Sequence, residues 1–270
     1  MKALIPAAGM ATRLRPLTND RPKCLLPIGE RPLLGRALDA LAGAGINEVV
    51  ICTGYLAEQI RAYVTGNYPR MSVTFIHNDV YDSTNNIYSL YLMRQEAEGQ
   101  DVLLLDSDIV FDPAILRRLL DSEEPNTLAL NSHALGEEEI KVVIGTDGRV
   151  KEISKTCSIS EAVGESIGIE KMSAGYTAAL YREMEQMIER EGLSNVFYER
   201  AFERLIPQGH TFAVTDTTEE EDPESVEVLF LRIEEDEEGN DVYVPVDDDA
   251  EADAAFASFM ERVDAEEDEE

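Results

Sequence analysis

Over the first 108 positions the apolar residues form short unbroken runs, separated by stretches in which they recur every three or four residues. The runs are KALIPA (2–7), EVVICTG (48–54), SVTFIH (72–77) and DVLLLDSD (101–108). Each is short and mostly apolar on both faces, the pattern of parallel strands covered on both sides. Leu34, Ala37, Leu38 and Leu41 recur at i, i+3, i+4 and i+7, and the segment closes at Gly43 and Gly45, which predicts a crossover helix. LAEQIRAYV (56–64) predicts a second helix, and NIYSLYLMRQ (86–95) a third, entered from Ser83 or Thr84. The resulting βαβαβαβ order predicts a doubly wound α/β sheet.

Beyond residue 125 the rhythm changes. IKVVIGTDGRVKEISK (140–155) reads as two strands about a Thr-Asp-Gly turn, a small hairpin added to the sheet. REMEQMIEREG (182–192) and VFYERAFERLI (196–206) read as helices. Phe256, Phe259, Met260 and Val263 share one helical face, placing a docked amphipathic helix near the end. Only residues 264–270 read as a disordered acidic tail.

Charge alters this picture. The 270-residue chain carries a formal net charge of −32, yet residues 1–100 hold +1 and residues 101–270 hold −33. Runs such as TEEEDPE (218–224), EEDEE (234–238) and DDDAEAD (247–253) repel nucleic acid and anionic lipid, so neither is an expected partner. A carboxylate coat of this density suits a solvated, halophile-like surface; a cation-binding or interaction tail is the alternative. No apolar run approaches the ~18–20 residues of a membrane span, and MKALIPAAGM turns too early to glycine and arginine for a signal peptide. Cys24, Cys52 and Cys157 show neither CxxC nor CxxH spacing, which predicts reduced thiols, no zinc and a cytoplasmic location.

In an open α/β sheet the ligand lies beyond the carboxyl ends of the strands. After the first strand comes AAGMATRLRP: small residues that let a ligand approach backbone N–H groups, then guanidinium forks suited to phosphate oxygens. Neither GxxxxGK[ST] nor GxGxxG is present, and a tight turn with surface arginines reads equally well. The fourth strand ends in Asp106 and Asp108, a position suited to holding Mg²⁺ against a phosphate or, alternatively, to a turn or helix cap. Together the two strand ends point to a nucleotide and phosphoryl-type chemistry.

GMATRLRPLTNDRPKCLLPIGERPLL (9–34) closely resembles the signature of the nucleotidyltransferases that make nucleoside-diphosphate sugars and related activated alcohols, GxGTRLxPLTxxxPKxLLPIxxxPLL. It departs at Ala11, where that family commonly has glycine, a change expected to restrict the loop rather than abolish binding. The resemblance runs over roughly residues 1–206 and implies a mixed, mostly parallel Rossmann-like sheet with the hairpin on the acceptor side. NDVYDSTNNIYSLYL (78–92) and GESIGIEKMSAGY (164–176) resemble the branch of phosphocholine and 2-aminoethylphosphonate cytidylyltransferases. That branch moves CMP from CTP to a small amine-bearing phosphate or phosphonate and releases pyrophosphate. A sugar-1-phosphate or inositol-1-phosphate enzyme is the alternative, and a non-catalytic nucleotide-sensing subunit is a rival of another class.

What the resemblance implies for single residues is specific. Arg13 would hold the β and γ phosphates and Lys23 the α-phosphate, while Asp108 and Asp247 would bind Mg²⁺, with Asp248 and Asp249 as rivals to Asp247. Ala7, Ala8, Gly9, Met10, Ala11 and Thr12, with Asn85, Asn86, Ser89 and Asp106, would surround the nucleotide. Lys155 would meet the acceptor phosphate. An ammonium group wants a carboxylate and an aromatic face, for which Glu165, Tyr176, Phe197, Tyr198 and Glu199 are candidates. The chain has no tryptophan, which shades the choice towards a primary amine. The expected organisation is one domain over 1–263, with a nucleotide half (1–110), an acceptor half (111–263) and an acidic insertion at about 216–240. It would act as a monomer or homodimer.

Overall fold

The computed structural model describes residues 1–29, 31–133, 135–137, 139–217, 228–229, 231–235 and 241–245. β1 (Lys2–Ala7) lies between β2 (Glu48–Thr53) and β4 (Val102–Leu105), parallel to both, with Leu4 opposite Val50 on one side and Leu104 on the other. β3 (Ser72–His77) adds parallel to β2. The order β3-β2-β1-β4 makes the chain reverse its winding between β1 and β4, and the crevice for a ligand opens there.

Helices cover both faces, as the periodicity predicts. Leu34, Leu38 and Leu41 of α1 (Leu33–Gly43) and Ile60 and Val64 of α2 (Ala57–Asn67) pack with Ile5, Ile51, Leu103 and Leu105. On the other face Ile87 and Leu90 of α3 (Asn86–Leu92) pack with Leu4, Val50 and Leu104. α1 ends where Gly45 takes a φ of +78° and Ile46 N–H donates to the Leu41 carbonyl, closing the last turn.

Several expectations are corrected. β3 is not buried on both faces: it is the edge strand, half-exposed, with the Arg61 guanidinium 4.9 Å from the centre of the Phe75 ring. β4 stops at Leu105, so Asp106 and Asp108 stand beyond it. α3 is capped by Asn85 rather than Ser83 or Thr84; the Asn85 side chain accepts from Asn86 N–H, while Thr84 is spent on the Val80 carbonyl.

The second half builds onto β4 in the opposite sense. β5 (Thr127–Asn131), β6 (Lys141–Ile144), β7 (Val150–Ser154), β8 (Gly164–Met172) and β9 (Ala213–Asp216) extend one mixed sheet. β6 and β7 are the expected antiparallel hairpin. β8 was not expected as a strand: Glu165, Glu170 and Lys171 interrupt its apolar pattern, yet all are buried. Its later half pairs with β4, Ile169 opposite Leu105, whereas Gly164 and Glu165 pair with β6. A register shift against β5 between Ser166 and Glu170, with Gly168 at a φ of +75°, bends the strand where it leaves β4.

α4 (Ala114–Asp121) places Ile115, Leu116 and Leu119 in the core with Leu103 and Leu105. The helix expected over 182–192 begins earlier, as α5 (Ala174–Glu185) capped by Ser173, and residues 186–190 widen into a π turn. α6 (Glu199–Leu205) is shorter than the expected 196–206. Within the acidic region Val228–Leu229 pair with Val110–Phe111, and Leu231–Glu235 with Asp241–Pro245, both antiparallel. The helix expected around Phe256 to Val263 and the tail at 264–270 lie outside the described residues. Among the described residues no helix is long and apolar enough to cross a membrane.

Candidate active site

The loop leaving β1 is fixed by its surroundings. Tyr55 N–H donates to the Ala8 carbonyl at 3.0 Å, an approach that Gly54 permits because a Cβ there would stand 2.7 Å from that oxygen. Ala11 takes the left-handed conformation, φ +45°, and its carbonyl accepts from Leu14 N–H at 3.0 Å and Thr18 Oγ1 at 2.9 Å. The Tyr55 hydroxyl donates to the Thr18 carbonyl at 2.8 Å, and Gln59 Nε2 to that of Asp20 at 2.7 Å. Arg13 and Lys23 therefore stand on a loop braced against the start of α2.

A cavity of about 490 Å³ opens at the switch point, within the usual size range of a small-molecule site. Ala7, Ala8, Gly9, Ala11, Arg13 and Lys23 line it from the first loop, Asn85, Asn86 and Ser89 from α3 and its cap, Asp106 and Asp108 from the end of β4, and Phe197 from the approach to α6. Lys23 Nζ lies 2.7 Å from Asp108 Oδ2, joining the two loops that flank the crevice. Met10 and Thr12 belong to the loop without lining the cavity.

Beneath the cavity lies an acidic cluster. The Tyr198 hydroxyl donates to Asp106 Oδ1 at 3.2 Å, and Ser166 Oγ to Glu170 Oε1 at 3.2 Å. Burial, then the charges of Asp108 and Glu199, push the Asp106 carboxyl well above the usual carboxylate range. Burial and the charges of Asp106 and Glu199 do the same to Glu170. Burial pushes Glu199 up to about 7, against its backbone hydrogen bond and the Lys155 ammonium, which favour the ionised form. Gly168 makes room for this arrangement: its carbonyl accepts from Asp106 N–H at 2.9 Å, and a Cβ on it would stand 2.8 Å from Asp106 Cγ.

The acceptor candidates separate. Phe197 lines the cavity at 42% exposure, with Lys155 Nζ 5.2 Å from its ring centre and Glu199 two residues on. Tyr176 and Tyr198 are core residues instead; Tyr176 packs on Phe212 at a centroid distance of 4.6 Å and Tyr198 on Phe202 at 5.4 Å. Glu165 faces His133, Oε2 to Nε2 3.0 Å, and does not line the cavity. Asp247, Asp248 and Asp249 lie outside the described residues.

Sequence reasoning overlooked Asn78, Tyr81 and Thr84, which also line the cavity. Asn78 is the first residue after β3, so the strand-end rule applied to β1 and β4 would have found it. Its side chain donates to Thr84 Oγ1 at 3.1 Å and Ser89 Oγ at 3.3 Å, bracing the α3 side of the site. The Asn86 side-chain oxygen accepts from Tyr198 N–H at 2.9 Å and so positions Phe197.

The profile of the MobA-like NTP transferase domain matches residues 3–205, and that of a family of unknown function, DUF1292, matches residues 199–264. Over 107 residues the chain is 41% identical to the choline-phosphate cytidylyltransferase of Streptococcus pneumoniae, covering 40% of this chain and 45% of that one. Over 129 residues it is 40% identical to the CMP-5'-(3-aminopropyl)phosphonate synthase of Streptomyces rubellomurinus, covering 48% and 20%. The chain thus spans less than half the length of these two curated relatives. The solved structure of CTP:phosphocholine cytidylyltransferase from Streptococcus pneumoniae superposes with a TM-score of 0.65 at 25% identity, over 83% of this chain and 91% of that one.

Proposed function

Because the chain belongs to the family of MobA-like NTP transferase domains, we propose that it is a cytidylyltransferase that moves CMP from CTP to a small amine-bearing phosphate or phosphonate. The relatives whose names specify such reactions support the acceptor class. The observation that carries the reading is the Lys23–Asp108 pair at 2.7 Å in a cavity that Asn85, Asn86 and Ser89 also line, where a triphosphate would meet a cation and a metal-binding carboxylate together.

The chemistry is one in-line displacement. An acceptor oxygen attacks the α-phosphorus as the bond to the pyrophosphate oxygen breaks, and negative charge builds on the oxygens around it. Lys23 neutralises that charge at the α-phosphate and Arg13 holds the leaving pyrophosphate. The backbone of Ala7 to Gly9 and the amides of Asn85 and Asn86 fix base and ribose. No covalent enzyme intermediate is needed, so positioning and fixed charge supply the rate.

Mg²⁺ fits the donor set. Asp108 offers a carboxylate at the cavity, and Mg²⁺ is held by one or two carboxylates together with substrate phosphates. Among the described residues no group of three or more side chains could hold a metal unaided, so phosphate oxygens would complete the coordination. Bound by Asp108, the ion would neutralise charge on the triphosphate.

At the acceptor end Lys155 takes the phosphate or phosphonate. Glu199, 7% exposed and with Oε2 lacking a hydrogen-bond partner among the described residues, takes the ammonium beside the Phe197 ring. With Tyr176 and Tyr198 in the core, Phe197 is the one of the three aromatic acceptor candidates that lines the cavity, which favours a primary amine over a quaternary one. The test is pyrophosphate release with each of four NTPs and with phosphocholine, 2-aminoethylphosphonate, phosphoethanolamine, glucose-1-phosphate and inositol-1-phosphate. Release with CTP and an amine-bearing acceptor is expected; release only with a sugar or inositol phosphate would overturn the acceptor assignment.

A further inference from the structure

The braced loop from Ala11 to Lys23 carries four cationic side chains, Arg13, Arg15, Arg21 and Lys23, against one acid, Asp20, in a chain of net charge −32. Lys23 is held by Asp108. Arg15 and Arg21 are exposed and make no ion pair among the described residues, although the chain has 55 acidic side chains to 23 basic ones. Each is the direct chain neighbour of a cavity-lining residue, Arg15 of Leu14 and Arg21 of Pro22. Their α-carbons thus lie within ~4 Å of those of the rim residues. Neither lines the cavity itself. Two guanidiniums without an ion pair among the described residues, beside the mouth of the cavity, are the local exception to a repulsive field.

We propose that Arg15 and Arg21 are a landing patch that draws the triphosphate of CTP across the acidic surface to the cavity mouth without touching the bound nucleotide. The inference rests on the cytidylyltransferase reading. A substrate of several negative charges approaching a polyanion is slowed, and a local cationic patch restores the encounter rate within a Debye length. Charges that act only on approach change kon and leave koff and kcat in place.

The test is stopped-flow binding of a fluorescent N-methylanthraniloyl CTP to the full chain. The proteins compared are wild type, Arg15→Ala/Arg21→Ala, and Arg70→Ala, an exposed arginine that precedes β3 and so lies at the amino-terminal end of the parallel strands, away from the strand ends that form the cavity. At ~20 mM salt the double variant should lose about tenfold in kon with koff and kcat changed less than about twofold, and at ~0.5 M salt the deficit should fall below about twofold. Arg70→Ala should match wild type throughout. An unchanged kon in the double variant, or a defect that persists at high salt with a raised koff, would overturn the inference while leaving the enzyme reading intact. Failure of wild type to bind the CTP probe would remove that reading and the inference with it.

Discussion

Lys23 Nζ and Asp108 Oδ2 lie 2.7 Å apart although 85 residues separate them, so the cation assigned to the α-phosphate is already engaged by the carboxylate assigned to Mg²⁺. Nucleotide and metal binding must exchange this pair for two new ones, Lys23 with phosphate and Asp108 with the ion. Asp108→Asn should therefore lower turnover by about two orders of magnitude while tightening metal-free CTP binding several-fold, because Lys23 loses its competitor. Lys23→Ala should weaken both. Calorimetric titration with CTP in chelator, alongside turnover with Mg²⁺, separates the cases; equal losses of binding in the two variants would contradict the exchange.

Glu199 gives a pH dependence of defined sign. Its folded pKa, raised by burial to about 7, lies above that of an unfolded glutamate, so its contribution to stability is fully present below the unfolded value and is lost as pH rises through about 7. The Lys155 ammonium opposes that rise and the Glu203 charge adds to it, while the Glu199 charge in turn raises Asp106, Glu170 and Tyr198. Glu199→Gln should flatten that part of the stability curve and exceed wild type above pH 7 by on the order of 1–3 kcal/mol. Acceptor binding should run the other way: KM for an amine-bearing acceptor falls as pH rises through about 7 in wild type, and loses this dependence in Glu199→Gln.

Gly168 is the only residue type that fits the bend in β8. Gly168→Ala meets a φ of +75° and the Asp106 carboxyl together, a cost of about 1–2 kcal/mol from the backbone alone. Thermal unfolding should shift down by several degrees and turnover should fall with it. A normal melting temperature would mean that the bend relaxes without strain.

Ala11 tests the departure from the family signature. At a φ of +45° glycine relieves about 1–2 kcal/mol of backbone strain, offset by the ~0.4–1 kcal/mol that its freer unfolded chain costs. Ala11→Gly should thus be neutral to slightly stabilising and retain activity, whereas Ala11→Val should lower both stability and CTP affinity. Tolerance of valine would show that the loop does not need this conformation.

The nucleotide half was legible because its signals are local. Apolar runs end in small or acidic residues at the strand ends, and the residues just past β1 and β4 meet at one cavity. β8 is hidden in the sequence because Glu170 and Lys171 are buried near its end, Glu170 accepting from Ser166 Oγ and Lys171 Nζ donating to the carbonyl of Ser122, 49 residues away, at 2.7 Å. The same blindness put Tyr176 and Tyr198 among the acceptor candidates. Composition shows that an aromatic is present; only packing shows that both rings are buried against Phe202. Asn85 both lines the cavity and caps α3, a double use that spacing does not reveal.

The most direct measurement is ³¹P NMR of the full chain with CTP, Mg²⁺ and 2-aminoethylphosphonate or phosphocholine. The expected result is loss of the triphosphate resonances, with stoichiometric pyrophosphate and a new pair of coupled resonances from the cytidylyl–acceptor anhydride, and no such pair when GTP replaces CTP. An unchanged CTP spectrum with every amine-bearing acceptor would contradict the assignment of this site as a cytidylyltransferase.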